Sequence, residues 1–176
     1  MVYGNGGGAT ATNLDSFAVY RLPLVGFSAT NPPNTPAAEL LFNDESAERD
    51  AHGIGVTQNE HYVWVGDRDG NVAEVFETQN GVRIATVHLV SAFSQDPTPD
   101  LFASSPDKNW FFMSTRGPNP LTGDPRSSTG TDPGLLIVRL TEGGLNGEVR
   151  GLVRISNVDA GGIQRADPHG IQMRRK

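Results

Sequence analysis

The chain has 176 residues, a formal net charge of −6, 21 glycines, 12 prolines and no cysteine. That glycine and proline content, spread along the chain, favours short strands joined by turns over long helices, and the lack of cysteine excludes disulfides, thiolate metal sites and a cysteine nucleophile. The acidic balance, with no basic stripe beyond the terminal Arg174, Arg175 and Lys176, excludes the electrostatic footprint of non-specific nucleic-acid binding, and no apolar run approaches the ~20 residues that span a bilayer.

Taken in chain order, Val2 and Tyr3 end a strand, Gly4 to Ala9 and their continuation read as a glycine-rich loop, and Phe17 to Leu22 form a strand. Glu39 to Phe42 is expected to be another. The alternative there is a short helix within Ala37 to Asp50, since Ala, Glu and Leu favour one and Asp44 or Ser46 could cap it. Ile54 to Thr57, Tyr62 to Val65, Val72 to Glu77 and Val82 to Leu89 follow as four strands of one antiparallel meander. They are separated by Gln58-Asn59-Glu60, Asp67-Arg68-Asp69-Gly70-Asn71 and Gln79-Asn80-Gly81. A second meander repeats the order: Leu101 to Ser104, the turn Ser105 to Asn109, Trp110 to Thr115, then Leu135 to Leu140 and Val149 to Ile155. A Pro/Gly/Ser/Thr-rich insertion between Arg116 and Gly134 interrupts it.

A short phrase occurs twice, as Arg49-Asp50-Ala51-His52-Gly53-Ile54 and as Arg165-Ala166-Asp167-Pro168-His169-Gly170-Ile171, and marks an internal repeat. Tyr62-Val63-Trp64-Val65-Gly66-Asp67-Arg68-Asp69-Gly70-Asn71, with Glu74 to Thr78 and Arg83 to Val87, resembles one blade of the YVTN-type β-propellers, relatives of the lactonase-like propellers. Ser105-Pro106-Asp107-Lys108 resembles the Ser-Pro-Asp-Gly-Lys turn that opens blades in that superfamily, with the missing glycine and Asn109 as departures. The resemblance implies an all-β chain of four-stranded antiparallel blades, an incomplete ring of about two and a half to three blades where closure usually takes four to eight.

One partial propeller domain over 1–176 is therefore expected, divided into an incomplete blade (1–48), a blade (49–98), a blade with the insertion 117–133 (99–164) and the first strand of a further blade (165–176). Two explanations of the open ring stay side by side: a piece of a larger propeller protein, or a homodimer in which strand exchange completes a six-bladed ring. The resemblance also suggests an extracytoplasmic location, periplasmic or secreted, although the N-terminus has no basic segment followed by an apolar stretch.

By the same resemblance, His52, His169, the Asp67 to Asn71 turn and the insertion after Arg116 share one face. That face is the candidate functional surface, with Asp67, Arg68, Arg116 and Asn119 as candidate contacts to a protein, glycan or small-molecule ligand. The two His-Gly pairs have two readings. In one, His52 and His169, with Asp50 or Asp167, bind a divalent metal ion at the channel mouth. In the other, each histidine donates a hydrogen bond to a neighbouring blade's backbone and the glycine allows close packing at the crowded axis. His61 and His88 read as surface or packing residues.

Asp67-x-Asp69-x-Asn71 copies the start of a calcium loop but lacks its glycine and closing glutamate, and reads as a hairpin turn. Trp64 and Trp110 are expected at equivalent second-strand positions, packing blade on blade. No Gly-x-Ser-x-Gly or His-Glu-x-x-His pattern is present, so neither a hydrolase elbow nor a zincin site is supported. Two functions remain: a non-catalytic binding or scaffold module acting through its loop face, and part of a metal-assisted lactonase-like hydrolase or histidine-ligated metalloenzyme.

Overall fold

The computed structural model describes residues 1–7, 17–26, 36–44, 46, 49–121 and 129–174. Among these residues there are eleven strands in three antiparallel sheets, ordered β1-β2-β3, β4-β5-β6-β7 and β8-β9-β10-β11. The strands are β1 (Val2–Gly6), β2 (Phe17–Leu22), β3 (Glu39–Asp44), β4 (Ala51–Val56), β5 (Tyr62–Asp67), β6 (Val72–Glu77), β7 (Arg83–His88), β8 (Pro99–Ser104), β9 (Trp110–Thr115), β10 (Gly134–Thr141) and β11 (Asn146–Arg154). Each full sheet is a meander that pairs consecutive strands, as the period-two patterning and short turns dictate.

The second sheet is covered on both faces, which explains why β5 and β6 are almost continuously apolar and buried. Alternation divides their side chains. Val63 and Val65 point toward the first sheet and join Phe17, Val19 and Phe76, whereas Trp64 and Val75 point toward the third and join Phe111, Met113, Leu136 and Val138. Trp64 is fully buried, lies edge-on to Phe111 with centroids 5.4 Å apart, and donates from Nε1 to the Gly144 carbonyl at 2.7 Å. Burying a side chain of this kind is worth about 1.5–3 kcal/mol, so these two seams hold the stack together.

The turn between the first and second strand is the same in both full blades, down to individual bonds. Thr57 Oγ1 and Ser105 Oγ each donate to the side chain two residues on, Asn59 and Asp107, and each accepts the amide five residues on, from Tyr62 and Trp110. Glu60 (φ 58°) and Lys108 (φ 51°) take the left-handed position that the resemblance assigns to glycine.

This alignment makes Tyr62 the counterpart of Trp110 and Phe112 the counterpart of Trp64, which corrects the expectation that the two tryptophans are equivalent. The offset arises because the turn, and not the tryptophan, sets the register. Trp64 opposes Gly55 as Phe112 opposes Ala103.

Two further expectations change, and the strand expected over Glu39 to Phe42 is found. Gly4 to Gly6 belong to β1, paired with Tyr20 to Ala18, because an exposed three-stranded edge tolerates glycine when its partner strand is apolar; residues 8–16 lie outside the described residues. Residues 39–44 form a strand and no helix, since β3 pairs along β2 and Phe42 packs on Phe17 and Phe76. Residues 169–174 are not a strand, because no described strand offers them a ladder partner.

Candidate functional site

The segments leading into β4 and β8 meet the turns that follow β5 and β9 at one end of the stack. The Arg68 amide donates to the Asp50 carbonyl at 3.0 Å, and the Arg116 amide donates to the Thr98 carbonyl at 3.2 Å. These matching bonds equate Asp50 with Thr98, and the ladder pairs Ala51 with Asp67 and Pro99 with Thr115. His52 and Asp100 are therefore equivalent, and His169 takes the same place in the third copy of the phrase.

A connected row of charge results. Arg68 donates from Nε to Asp50 Oδ2 at 2.6 Å, and a terminal guanidinium nitrogen contacts the same oxygen. The other Asp50 oxygen faces His52 Nδ1 at 3.1 Å. His52 Nε2 stands 3.8 Å from Asp100 Oδ1, and Arg68 stands 3.6 Å from that oxygen. The second Asp100 oxygen is 2.6 Å from His169 Nδ1. His169 Nε2 is 3.1 Å from Asp167 Oδ2, and Arg116 grips both oxygens of Asp167 at 2.6 and 2.9 Å. Asp100 is 1% exposed, and its Oδ1 accepts no hydrogen bond.

The electrostatics follow from these neighbours. Burial alone would raise the Asp50 carboxyl, but the His52 hydrogen bond and the Arg68 charge outweigh it and hold the group below the usual carboxylate range. Asp167 is lowered in the same way, with Arg116 and the Gly117 amide overcoming burial. Asp67 goes the other way: burial pushes its carboxyl up although Oδ1 accepts the amides of Asp50 and Gly70. Arg49 Nε lies 2.8 Å from Asp67 Oδ2 without the angle of a hydrogen bond, so charge and not a bond links them.

Of the residues expected to meet a partner, Asp67, Arg68 and Arg116 are buried and shape the face from beneath, and Asn119 is exposed while donating to the Gln164 carbonyl at 3.2 Å. His52 and His169, with side chains 30% and 42% exposed, carry the row to the surface. Of the insertion, residues 122–128 lie outside the described residues. Asp100 was not foreseen; its signal was the proline shared by Asp167-Pro168-His169 and Thr98-Pro99-Asp100.

The donors fit a metal poorly. The carboxylates of Asp50 and Asp167 are held by guanidiniums, and among the described residues no group of three or more His, Asp or Glu is set to hold an ion. What remains is one imidazole nitrogen and one carboxylate oxygen beside a positive charge.

No family model and no curated protein matches the chain. Solved structures do. The chain is similar to a protein from Lactobacillus plantarum with a TM-score of 0.51 and 12% identity, over 79% of this chain and 36% of that one. It is similar to a protein from Bacteroides fragilis, provisionally assigned as a 6-phosphogluconolactonase, with a TM-score of 0.52 and 14% identity, over 85% of this chain and 40% of that one. The chain thus spans about two fifths of the length of these structures. The likeness carries the fold alone: four-stranded antiparallel blades of an incomplete β-propeller ring.

Proposed function

We propose that this chain is a non-catalytic binding or scaffold segment of a propeller protein, engaging a protein, glycan or small-molecule ligand through the face that carries His52, His169 and the loop after Arg116. The observation that carries this reading is that most of the ionic groups at the mouth are paired with one another, leaving His52 Nε2 and Asp100 Oδ1 without a hydrogen bond among the described residues. Arg68 is committed to Asp50 and Arg116 to Asp167, in buried two-point contacts that fix the loops. A general acid or base needs a group within reach of a substrate proton, and the buried carboxylates here are fenced by their partners. The neighbouring loops are what a partner can reach, as is usual where loops sit on a rigid sheet scaffold. YVTN-type repeats and an extracytoplasmic location belong to the same reading, on the resemblance of Tyr62 to Asn71.

The test is a panel of glycans, sugar acids and peptides titrated into the isotope-labelled chain. Amide shifts confined to residues 116–121 and to the surroundings of His52 and His169 support the reading. Turnover of a lactone that is abolished in H52A or H169A would overturn it.

A further inference from the structure

The three sheets carry the same irregularity at the same place. The ladders β2–β3, β6–β7 and β10–β11 each shift register immediately after one residue, which is Val19, Val75 and Ile137 in turn. These three residues are therefore equivalent, and their partners on the preceding strand, Asn5, Trp64 and Phe112, are equivalent too. β1 is thus the counterpart of β5 and β9, the second strand of its blade. Its other edge, where β4 and β8 serve the later blades, has no partner among the described residues.

An unpaired strand stands at the opposite end of the row. β1 packs beside β4 and β4 beside β8. Next comes His169, held to β8 by Asp100 at 2.6 Å and through its carbonyl by Ser114 Oγ at 2.7 Å. Residues 169–174 therefore begin where the inner strand of a fourth blade belongs, and no described strand pairs with them.

The two end faces match as well. In the middle seam Trp64, Ala73 and Val75 pack on Phe111, Met113, Leu136 and Val138. The counterparts of the first group are Phe112, Leu135 and Ile137, which stand half-buried on the outer face of the third sheet beside exposed Val153. The counterparts of the second group are Gly4, Gly6, Ala18 and Tyr20 on the outer face of the first sheet, beside exposed Leu40. One face carries bulk and the other a recess of small residues, and each continues a seam that the chain already builds.

We propose that these ends join two copies of this chain: the first sheet of one copy docks on the third sheet of the other, and residues 169–174 of that other copy add to β1 as the missing inner strand. Two such contacts close a ring of six blades, three from each copy, within the usual four to eight. The register follows from the second blade. Gly55 opposes Trp64 there, Gln172 is the counterpart of Gly55, and so Gln172 of one copy opposes Asn5 of its partner. This inference concerns assembly and does not rest on the binding reading.

Light scattering on the unmodified chain is expected to give a single species with the mass of two chains. I137E, which puts a charge on the docking face, should reduce that to one chain while the strand signal in the far-ultraviolet spectrum is kept. V82E, at an exposed apolar residue beside the outer strand of the second blade, should leave two. The chain has no cysteine, so N5C/Q172C introduces the only two thiols, and mild oxidation should yield a covalent pair of chains with a 5-to-172 disulfide identified by peptide mass. A one-chain or polydisperse mass for the unmodified chain would overturn the proposal without recourse to a variant. A pair that survives I137E, or a 5-to-172 disulfide closed within one chain, would overturn it equally.

Discussion

Arg116 and Asp167, 51 positions apart, close a two-point ion pair in which Nε meets Oδ1 at 2.6 Å and a terminal nitrogen meets Oδ2 at 2.9 Å, with the arginine 1% exposed. The pair ties the end of β9 to the segment that follows β11. Replacing one partner leaves the other charge buried and uncompensated, which costs on the order of 3 kcal/mol. R116A is expected to lower the urea midpoint accordingly. The double variant R116M/D167L should recover much of the loss, because removing both charges removes the penalty as well as the attraction.

The carboxyls at the mouth predict opposite responses to acid. Asp50 and Asp167 are held below their ordinary range, so their contribution is complete above about pH 4, the unfolded value, and is lost as pH falls through the lowered folded value. Asp67 is raised by burial, so its ionisation opposes folding as pH rises through that value. Denaturation followed from pH 7 into acid should show D50N costly at pH 7, with the cost shrinking below about pH 4 and vanishing only beneath the lowered folded value. D67N should cost less than D50N at pH 7, because an amide oxygen still accepts from the Asp50 and Gly70 amides.

Lys108 sits at φ 51° in the turn whose resemblance calls for glycine. A left-handed conformation costs a side-chain-bearing residue ~1–2 kcal/mol, and glycine returns ~0.5–1 kcal/mol of that through its greater freedom when unfolded. K108G should therefore raise stability by about 0.5–1 kcal/mol, read from the urea midpoint, with no change in the m-value. The opposite exchange at Gly53 is expected to be severe: G53A meets a positive φ of 60° and drives a methyl group into the Asp100 carbonyl and the Phe102 ring.

Much of the fold was legible because each blade repeats the same local chemistry. β9 occupies Trp110 to Thr115 as read from its apolar run, and β2 occupies Phe17 to Leu22. The tryptophan register failed for a definable reason: residue identity suggested an alignment that the Thr57 and Ser105 turns override by two positions. The Asp67 to Asn71 turn was identified from its Asp-Gly pair, yet the positive φ of 54° falls on Asn71.

The site was half legible. Asp-x-His marked two of three equivalent positions, but the middle one is Thr98-Pro99-Asp100, which keeps the geometry without the letters. Nothing in a linear pattern announces that Arg68 and Arg116 turn inward, because their partners come from another strand start 18 or 51 positions away.

The central claim is that His52 and His169 belong to a network of hydrogen bonds and ion pairs and not to a metal centre. The most direct measurement is calorimetric titration of zinc and manganese into the chain and into the H52A/H169A double variant. The account predicts no stoichiometric binding that depends on the two histidines. One tightly bound ion per chain, lost in the double variant, would contradict it and return the mouth to metal chemistry.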